Sequence, residues 1–273
     1  MGFTLHYIKQ GFLRTELDGR LPASALAMER VVDYYGIPSI NFGNAVCQLV
    51  RAGQLVFKGA SQQQKGIQVF SPDGVHPYPA TGHVIYEGVL EKCFNSMNPP
   101  GRPRAKKHVL GEPLARDYFS QAQMVALSKL RVSPGWVVKA ASDIPELVGM
   151  GHSRLVVGRA DHSGETITVR FRGRAIGAYD LIGPGSGRVT VQVDADKADT
   201  IKRFDAYCTY WRPSYFLIDH LKDTTHVVVF KTLAEPFDKA GILARRSNLI
   251  RDTAAFQPNN WYLVKILVDG KLE

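Results

Sequence analysis

The sequence contains little of what marks a disulfide-stabilised, zinc-binding or membrane-spanning protein. Its three cysteines, Cys47, Cys93 and Cys208, are an odd number, lie far apart and include no C-x-x-C pair. We therefore expect neither a disulfide framework nor a structural zinc site. No run of about 18 apolar residues occurs, which argues against a transmembrane helix. The first residues also lack the basic start and apolar stretch of a secretory signal peptide, and the compartment stays open.

The composition is that of an ordinary folded protein. The chain has 273 residues, of which 45% are hydrophobic and 22% are charged, with 25 glycines and 15 prolines. These proportions exclude a disordered chain, a collagen-like repeat and a coiled coil. At roughly 150 residues per domain, the length predicts one large domain or two modest ones.

A formal net charge of +9 raises the alternative of nucleic-acid binding. The densest basic stretch is Arg102–His108, which directly follows Asn98–Gly101. Proline and glycine among the cations, without an apolar period, predict a solvated linker. A phosphate-binding arm would have aromatic or base-reading neighbours, and none stands beside this stretch. We therefore do not expect a nucleic-acid partner.

The first hundred residues alternate helical and extended patterns. The predicted helices are Pro22–Tyr35, Asn44–Arg51 and Gly82–Phe94, and the predicted strands are Thr4–Ile8, Ile37–Asn41 and Ile67–Phe70. In the first predicted helix, Ser24 is a candidate N-terminal cap and Gly36 is expected to end the helix. We also expect this helix to have one apolar side. Its residues are Leu26, Met28, Val31, Val32 and Tyr35. Strands separated by helices predict an α/β layer with a parallel sheet.

From about residue 118 onward the pattern becomes one of short strands bounded by turns. The predicted strands are Arg154–Val157, Thr166–Arg172, Ala175–Leu181, Arg188–Val193, Thr225–Lys231 and Trp261–Val268. Thr166–Arg172 alternates apolar with polar residues, as a half-buried antiparallel strand does. Several such strands with glycine-rich turns predict an all-β sandwich of jelly-roll type. The predicted organisation is an α/β domain over 1–100, a linker over 101–117 and a β-domain over 118–273.

The most specific local feature is the turn Phe70–Pro77, which contains Asp73-x-x-His76. An Asp three residues before a His can accept a hydrogen bond from one ring nitrogen and leave the other free as a general base. The alternative is a proline-bracketed turn whose Asp accepts hydrogen bonds from backbone amides. The spacing alone leaves both open.

The surroundings of this turn resemble the SGNH (GDSL-type) esterase family over roughly Thr4–Phe94. The segments that carry the resemblance are AMERVVDYYGIPSINFGNAVCQLVRAGQLVFKG and VFSPDGVHPYPATGHVIYEGVL. Asp73-x-x-His76-Pro77 entering a helix is similar to the last conserved block of the family. The resemblance implies a three-layer α/β fold and, as in bacterial members, an appended β-domain. It also implies ester hydrolysis through an acyl-serine, typically deacetylation of carbohydrate, with His76 as base, Asp73 as orienting carboxylate and no cofactor.

The sequence departs from the family at the nucleophile. Neither G-D-S nor G-x-S-x-G occurs, and the serines with a glycine nearby, Ser61, Ser153 and Ser186, do not follow a buried strand. The G-x-N-D block of the family is absent too. Gln10 is a candidate for the amide donor that the asparagine of this block supplies, and we expect His6 to be structural. We expect a chain truncated before its nucleophile, rather than one that has lost it, and hence almost no activity.

The β-domain offers aromatic clusters without a catalytic motif. The densest is Phe204–Arg212, whose flat aromatic faces beside Asp and Arg suit stacking on sugar rings. The alternative is that these aromatic residues pack in the core. Core packing is also what we expect of Asn259–Tyr262. His152, His162, His220 and His226 have no ligand spacing, so we expect no metal. A carbohydrate ester is the expected partner, and a non-catalytic carbohydrate-binding protein or pseudo-esterase is the alternative function.

Overall fold

The computed structural model describes residues 3–97, 109, 111–115, 119–151 and 155–273. The chain divides into two compact units, Met1–Asp117 and Tyr118–Glu273. The basic stretch Arg102–His108 and most of the predicted linker lie outside the described residues, as do His152 and Ser153. A separate linker over 101–117 therefore stays a prediction.

The first unit mixes short strands with helices, as the sequence predicts. In chain order its elements are β1 (Thr4–His6), α1 (Gln10–Leu17), α2 (Ala23–Tyr35), β2 (Ser39–Asn41), α3 (Gly43–Arg51), β3 (Leu55–Lys58), β4 (Gln63–Gln64), β5 (Ile67–Ser71) and α4 (Val84–Met97). β1 pairs with β2 in parallel. β5 lies between β3, to which it is parallel, and β4, to which it is antiparallel.

Several predicted details of this unit are wrong. The elements α1, β3 and β4 are not among those predicted from the sequence. α2 begins after Pro22 with no side-chain cap, so Ser24 does not have the predicted role. The other end is as predicted, because Gly36 has φ 62°, in the left-handed region that glycine adopts without steric cost.

The core of the first unit is formed by residues of β2, α3, β3, β5 and α4 and by two residues of the connecting segments, Ile8 and Phe42. Its buried members are Ile8, Ile40, Phe42, Val46, Cys47, Leu55, Phe57, Phe70 and Tyr86. α2 buries only Ala25 and Val32, whereas Leu26, Met28 and Val31 are exposed, contrary to the predicted apolar side. Among the described residues, the sheet formed by β1 and β2 has two strands, so it offers little surface to a wider helical face. Val84, an apolar residue at the start of α4, is also exposed.

The second unit is antiparallel β with two short helices, and its all-β character is confirmed. Its elements are β6 (Ala122–Ala126), β7 (Arg131–Val132), β8 (Val137–Ala140), β9 (Val156–Ala160), β10 (Thr166–Ile182), β11 (Arg188–Val193), β12 (Asp199–Lys202), β13 (Arg212–Ile218), β14 (Thr224–Leu233), α5 (Lys239–Ala244), α6 (Thr253–Phe256) and β15 (Trp261–Leu272). The strands form one sheet with the order β12-β11-β14-β10-β15-β9-β8, to which β6, β7 and β13 add by pairing with β15 and β10.

β10 joins two predicted strands into one of 17 residues. Its first half pairs with β14 and its second half with β13, so this strand connects two parts of the sheet. The change of partner coincides with a shift in the register of β10 against β15 between Gly173 and Ala175. The two strands predicted from the sequence are separated at the same place. A Cβ at Gly173 would lie 2.0 Å from the carbonyl oxygen of Asp269, so this crossing requires glycine.

Candidate active site

The Asp73-x-x-His76 turn begins where β5 ends and is held by local hydrogen bonds. The buried Ser71 Oγ accepts from the backbone N–H of Gly74 at 2.8 Å. Gly74 has φ 86°, and a Cβ there would lie 2.6 Å from Oε1 of Gln10, so both conformation and space favour glycine. After Pro77, a π-helical turn over Pro79–His83 leads into α4.

Asp73 uses its two carboxylate oxygens for two different purposes. Oδ1 accepts from the backbone N–H groups of Val75 at 2.8 Å and His76 at 2.9 Å. Oδ2 lies 2.7 Å from Nδ1 of His76. The side-chain hydrogen bond to His76, followed by the backbone amides, holds the pKa of Asp73 well below its usual range. The structure therefore contains both arrangements that the sequence left as alternatives.

This geometry determines which nitrogen of His76 is free. An ionised carboxylate only accepts hydrogen bonds, so a neutral imidazole carries its proton on Nδ1 and leaves the Nε2 lone pair available. Nε2 hydrogen-bonds to no residue in the part of the chain that the structure describes. The His76 side chain is 81% exposed and that of Asp73 is 50% exposed. A base oriented in this way can accept a proton from a hydroxyl or a water.

Gln10 and His6, the two residues considered for the missing third block, have different surroundings. The backbone N–H of Gln10 donates to the carbonyl oxygen of Gly74 at 2.7 Å, so the start of α1 contacts the Asp73–His76 turn. His6 is buried, and its Nε2 lies 2.5 Å from Oε1 of Glu29. That pair joins β1 to α2, which agrees with the structural role expected of His6.

None of the described serines in the first unit is placed as a nucleophile for His76. Ser71 Oγ is the hydroxyl built into the turn, but it donates to Oδ1 of Asp73 at 3.1 Å and its residue is fully buried. Ser61 Oγ donates to the carbonyl oxygen of Gln63. Ser186 is buried in the second unit, where its Oγ accepts from the N–H of Gly183.

The aromatic cluster Phe204–Arg212 divides between core and surface. Phe204 and Cys208 belong to a buried cluster, whereas Tyr207 and Tyr210 are exposed. Trp211 is partly buried, and its ring lies 4.6 Å from that of Tyr262. Both interpretations of this segment, core packing and an exposed aromatic surface, thus apply to different residues.

Among the described residues, no group of three His, Cys, Asp or Glu side chains could hold a metal ion. The three cysteines are free. His226 instead pairs with Asp194, with Nδ1 2.7 Å from Oδ2. In the same part of the chain, no helix has the length and apolar character needed to cross a membrane.

The chain was compared with known families, sequences and structures. No family model matches it, and no curated protein sequence is significantly similar to it. A crystal structure of a two-domain esterase active on acetylated mannans, co-crystallised with mannopentaose, does match, with a TM-score of 0.63 and 17% identity over 99% of this chain. The fold is shared with a two-domain esterase. This chain spans 62% of the length of that protein.

A second crystal structure of a two-domain esterase active on acetylated mannans gives the same result. Its TM-score is 0.63, with 16% identity over 99% of this chain and 63% of the other. At these identities the likeness is one of fold. The shared fold agrees with the sequence prediction of helices and strands followed by a β-domain.

Proposed function

We propose that this chain is the C-terminal part of a carbohydrate esterase of the SGNH type. Its first unit would be the end of a three-layer α/β catalytic domain, and its second unit a jelly-roll-type partner. The observation that carries the proposal is the 2.7 Å contact between Asp73 Oδ2 and His76 Nδ1, which leaves Nε2 free as a base. The fold shared with an esterase active on acetylated mannans supports an acetylated mannan as the substrate.

The proposed reaction needs a serine hydroxyl from a segment that precedes Met1. Nε2 of His76 accepts the hydroxyl proton while the serine oxygen attacks the acetyl carbonyl. The imidazolium, stabilised by ionised Asp73, then protonates the departing sugar oxygen. A water molecule attacks the acyl-serine with His76 again as base, and acetate leaves as the serine regains its proton.

The first experiment is to read the coding DNA upstream of Met1. An in-frame extension that encodes a strand followed by G-D-S would support the proposal. The extended protein should then release acetate from acetylated manno-oligosaccharides, and the 273-residue chain should not. A stop codon directly upstream, with a ribosome-binding site before Met1, would overturn the serine-esterase proposal for this polypeptide.

Variants of the extended protein test the roles of the two residues. His76→Ala should lower kcat by about a millionfold, and Asp73→Asn by about 10⁴-fold, because the amide no longer fixes the imidazole tautomer. Ser61→Ala is the matched control from the same unit and should keep full activity, since Ser61 is exposed and bonds only to Gln63. Equal activity of all three variants would contradict the assignment.

The second candidate is a non-catalytic carbohydrate-binding protein or pseudo-esterase. It is favoured by the absence of a G-D-S motif in the 273 residues and by the lack of a described hydroxyl beside Nε2 of His76. This candidate predicts affinity for the polysaccharide without acetate release, even for the extended protein.

A further inference from the structure

A polar cleft of about 510 Å³ lies entirely within the second unit. Its lining includes the charged residues Glu146, Arg159 and Asp161 and the aromatic residues Trp211 and Tyr262. This volume is in the range of small-ligand sites, roughly 300–1,000 Å³. A second cavity of similar volume is lined in part by the same residues, Pro184 and Ala255.

The charged side chains of the cleft are held in a connected hydrogen-bond network. Nη1 of Arg159 donates to Glu146 Oε1 at 3.1 Å, and Nη2 donates to Asp161 Oδ2 at 3.4 Å. The hydroxyl of Tyr262 donates to the same Glu146 oxygen at 2.8 Å. Nε of Arg159 is buried with no hydrogen-bond partner among the described residues, which leaves one donor of the network unused.

The aromatic side of the cleft is supported by a glycine-rich loop. A Cβ at Gly183 would lie 2.5 Å from the Trp211 indole, and one at Gly185 would lie 3.0 Å from the hydroxyl of Tyr262. Only glycines let this backbone approach the two rings so closely. The N–H of Asn260 donates to the carbonyl oxygen of Gly185 at 2.9 Å. These contacts fix the positions of the Trp211 and Tyr262 rings.

The chemistry of the lining selects a neutral, polyhydroxylated ligand. Two carboxylates and one guanidinium leave a net negative charge, which disfavours nucleic acid and other polyanions. Carboxylates accept and guanidinium donates, so together they can bind hydroxyl groups that do both. The partly exposed indole of Trp211 offers a flat apolar surface for the C–H face of a sugar ring.

We propose that this cleft is an oligosaccharide-binding site of the second unit, with Trp211 as the stacking residue and Glu146, Arg159 and Asp161 as hydroxyl ligands. A volume of about 510 Å³ has room for more than one sugar ring. The choice of a β-1,4-linked ligand rests on the proposed function, but binding itself does not require hydrolysis.

Binding is tested on the 273-residue chain by calorimetric titration with unacetylated, five-residue β-1,4-linked oligosaccharides of mannose, glucose and xylose. At least one should bind, and Trp211→Ala and Asp161→Asn should each lower the affinity at least tenfold. Trp136 and Trp261, the other two tryptophans, are 8% and 1% exposed. A change in tryptophan fluorescence during the titration therefore reports on Trp211, and it should be absent in Trp211→Ala.

The matched control is Tyr215→Ala, an aromatic residue 70% exposed on β13 that lines a different cavity. It should keep wild-type affinity. The proposal is overturned if none of the three sugars binds at millimolar concentration, or if Tyr215→Ala loses binding while Trp211→Ala and Asp161→Asn keep it. The side chain of Asp161 is partly exposed. Asp161→Asn therefore tests the proposed binding site even if Trp211→Ala does not fold.

The esterase and the cleft can fail separately. His76→Ala should abolish acetate release by the extended protein and leave oligosaccharide binding unchanged. Binding without acetate release would support the oligosaccharide-binding site and contradict the esterase proposal. Acetate release, together with an oligosaccharide affinity unchanged in Trp211→Ala and Asp161→Asn, would support the esterase proposal and contradict the binding site.

Discussion

Replacing Asp180 by Asn should destabilise the second unit strongly. Asp180 is fully buried on β10, and its carboxylate accepts from Nε and Nη2 of Arg203, both at 2.7 Å. It also accepts from Nε1 of Trp261 at 3.0 Å. Asparagine keeps the shape but directs an N–H₂ group at these donors and leaves the guanidinium without its counter-charge. Breaking a buried pair by removing one partner costs about 3–5 kcal/mol.

The assay is calorimetry together with guanidinium unfolding followed by tryptophan fluorescence. For a unit of this size, 1 kcal/mol shifts Tm by about 2–4 °C, so a loss of about 4 kcal/mol predicts a decrease of about 8–16 °C. Asp219→Asn, at a surface carboxylate 47% exposed, is the matched control and should change Tm little. The double variant Asp180→Leu with Arg203→Met should recover part of the loss, because it removes the unpaired charge, although Nε1 of Trp261 then has no acceptor. A loss below about 1 kcal/mol in Asp180→Asn would refute the argument.

Two further predictions concern the second unit. Nζ of buried Lys239 donates to three backbone carbonyls of the loops around the cleft. Lys239→Met should therefore lower the free energy of unfolding by about 2 kcal/mol and weaken oligosaccharide binding. An affinity equal to that of the wild type would contradict this role. For His226, burial opposes protonation, but the carbonyl of Lys222 and the carboxylate of Asp194 hold its pKa above the ordinary value. The stability it contributes is therefore present below about pH 6.5 and lost as the pH rises through the folded-state pKa. Urea unfolding at pH 6 and pH 8 should show this difference, and His226→Gln should reduce it.

The features that sequence alone predicted are those that depend on neighbours a few residues apart. Gly36 ends α2 because a left-handed residue is needed directly after the last turn. Asp73 and His76 meet because they lie three positions apart on a tight turn. Ile167, Val169 and Phe171 face the core because side chains alternate along a strand.

The features that only tertiary structure decided depend on contacts between distant segments. Leu26 and Val31 are apolar and at helical spacing, yet they are exposed in the described structure, because burial depends on which distant segments pack against a helix and not on its own pattern. The contact between Gln10 and Gly74 spans 64 positions of the chain. The cleft combines Glu146 with Tyr262, 116 positions apart, through the pairing of β9 with β15 and the bend of the loops around them. No local pattern encodes such a juxtaposition, because packing of the whole sheet determines which loop ends meet.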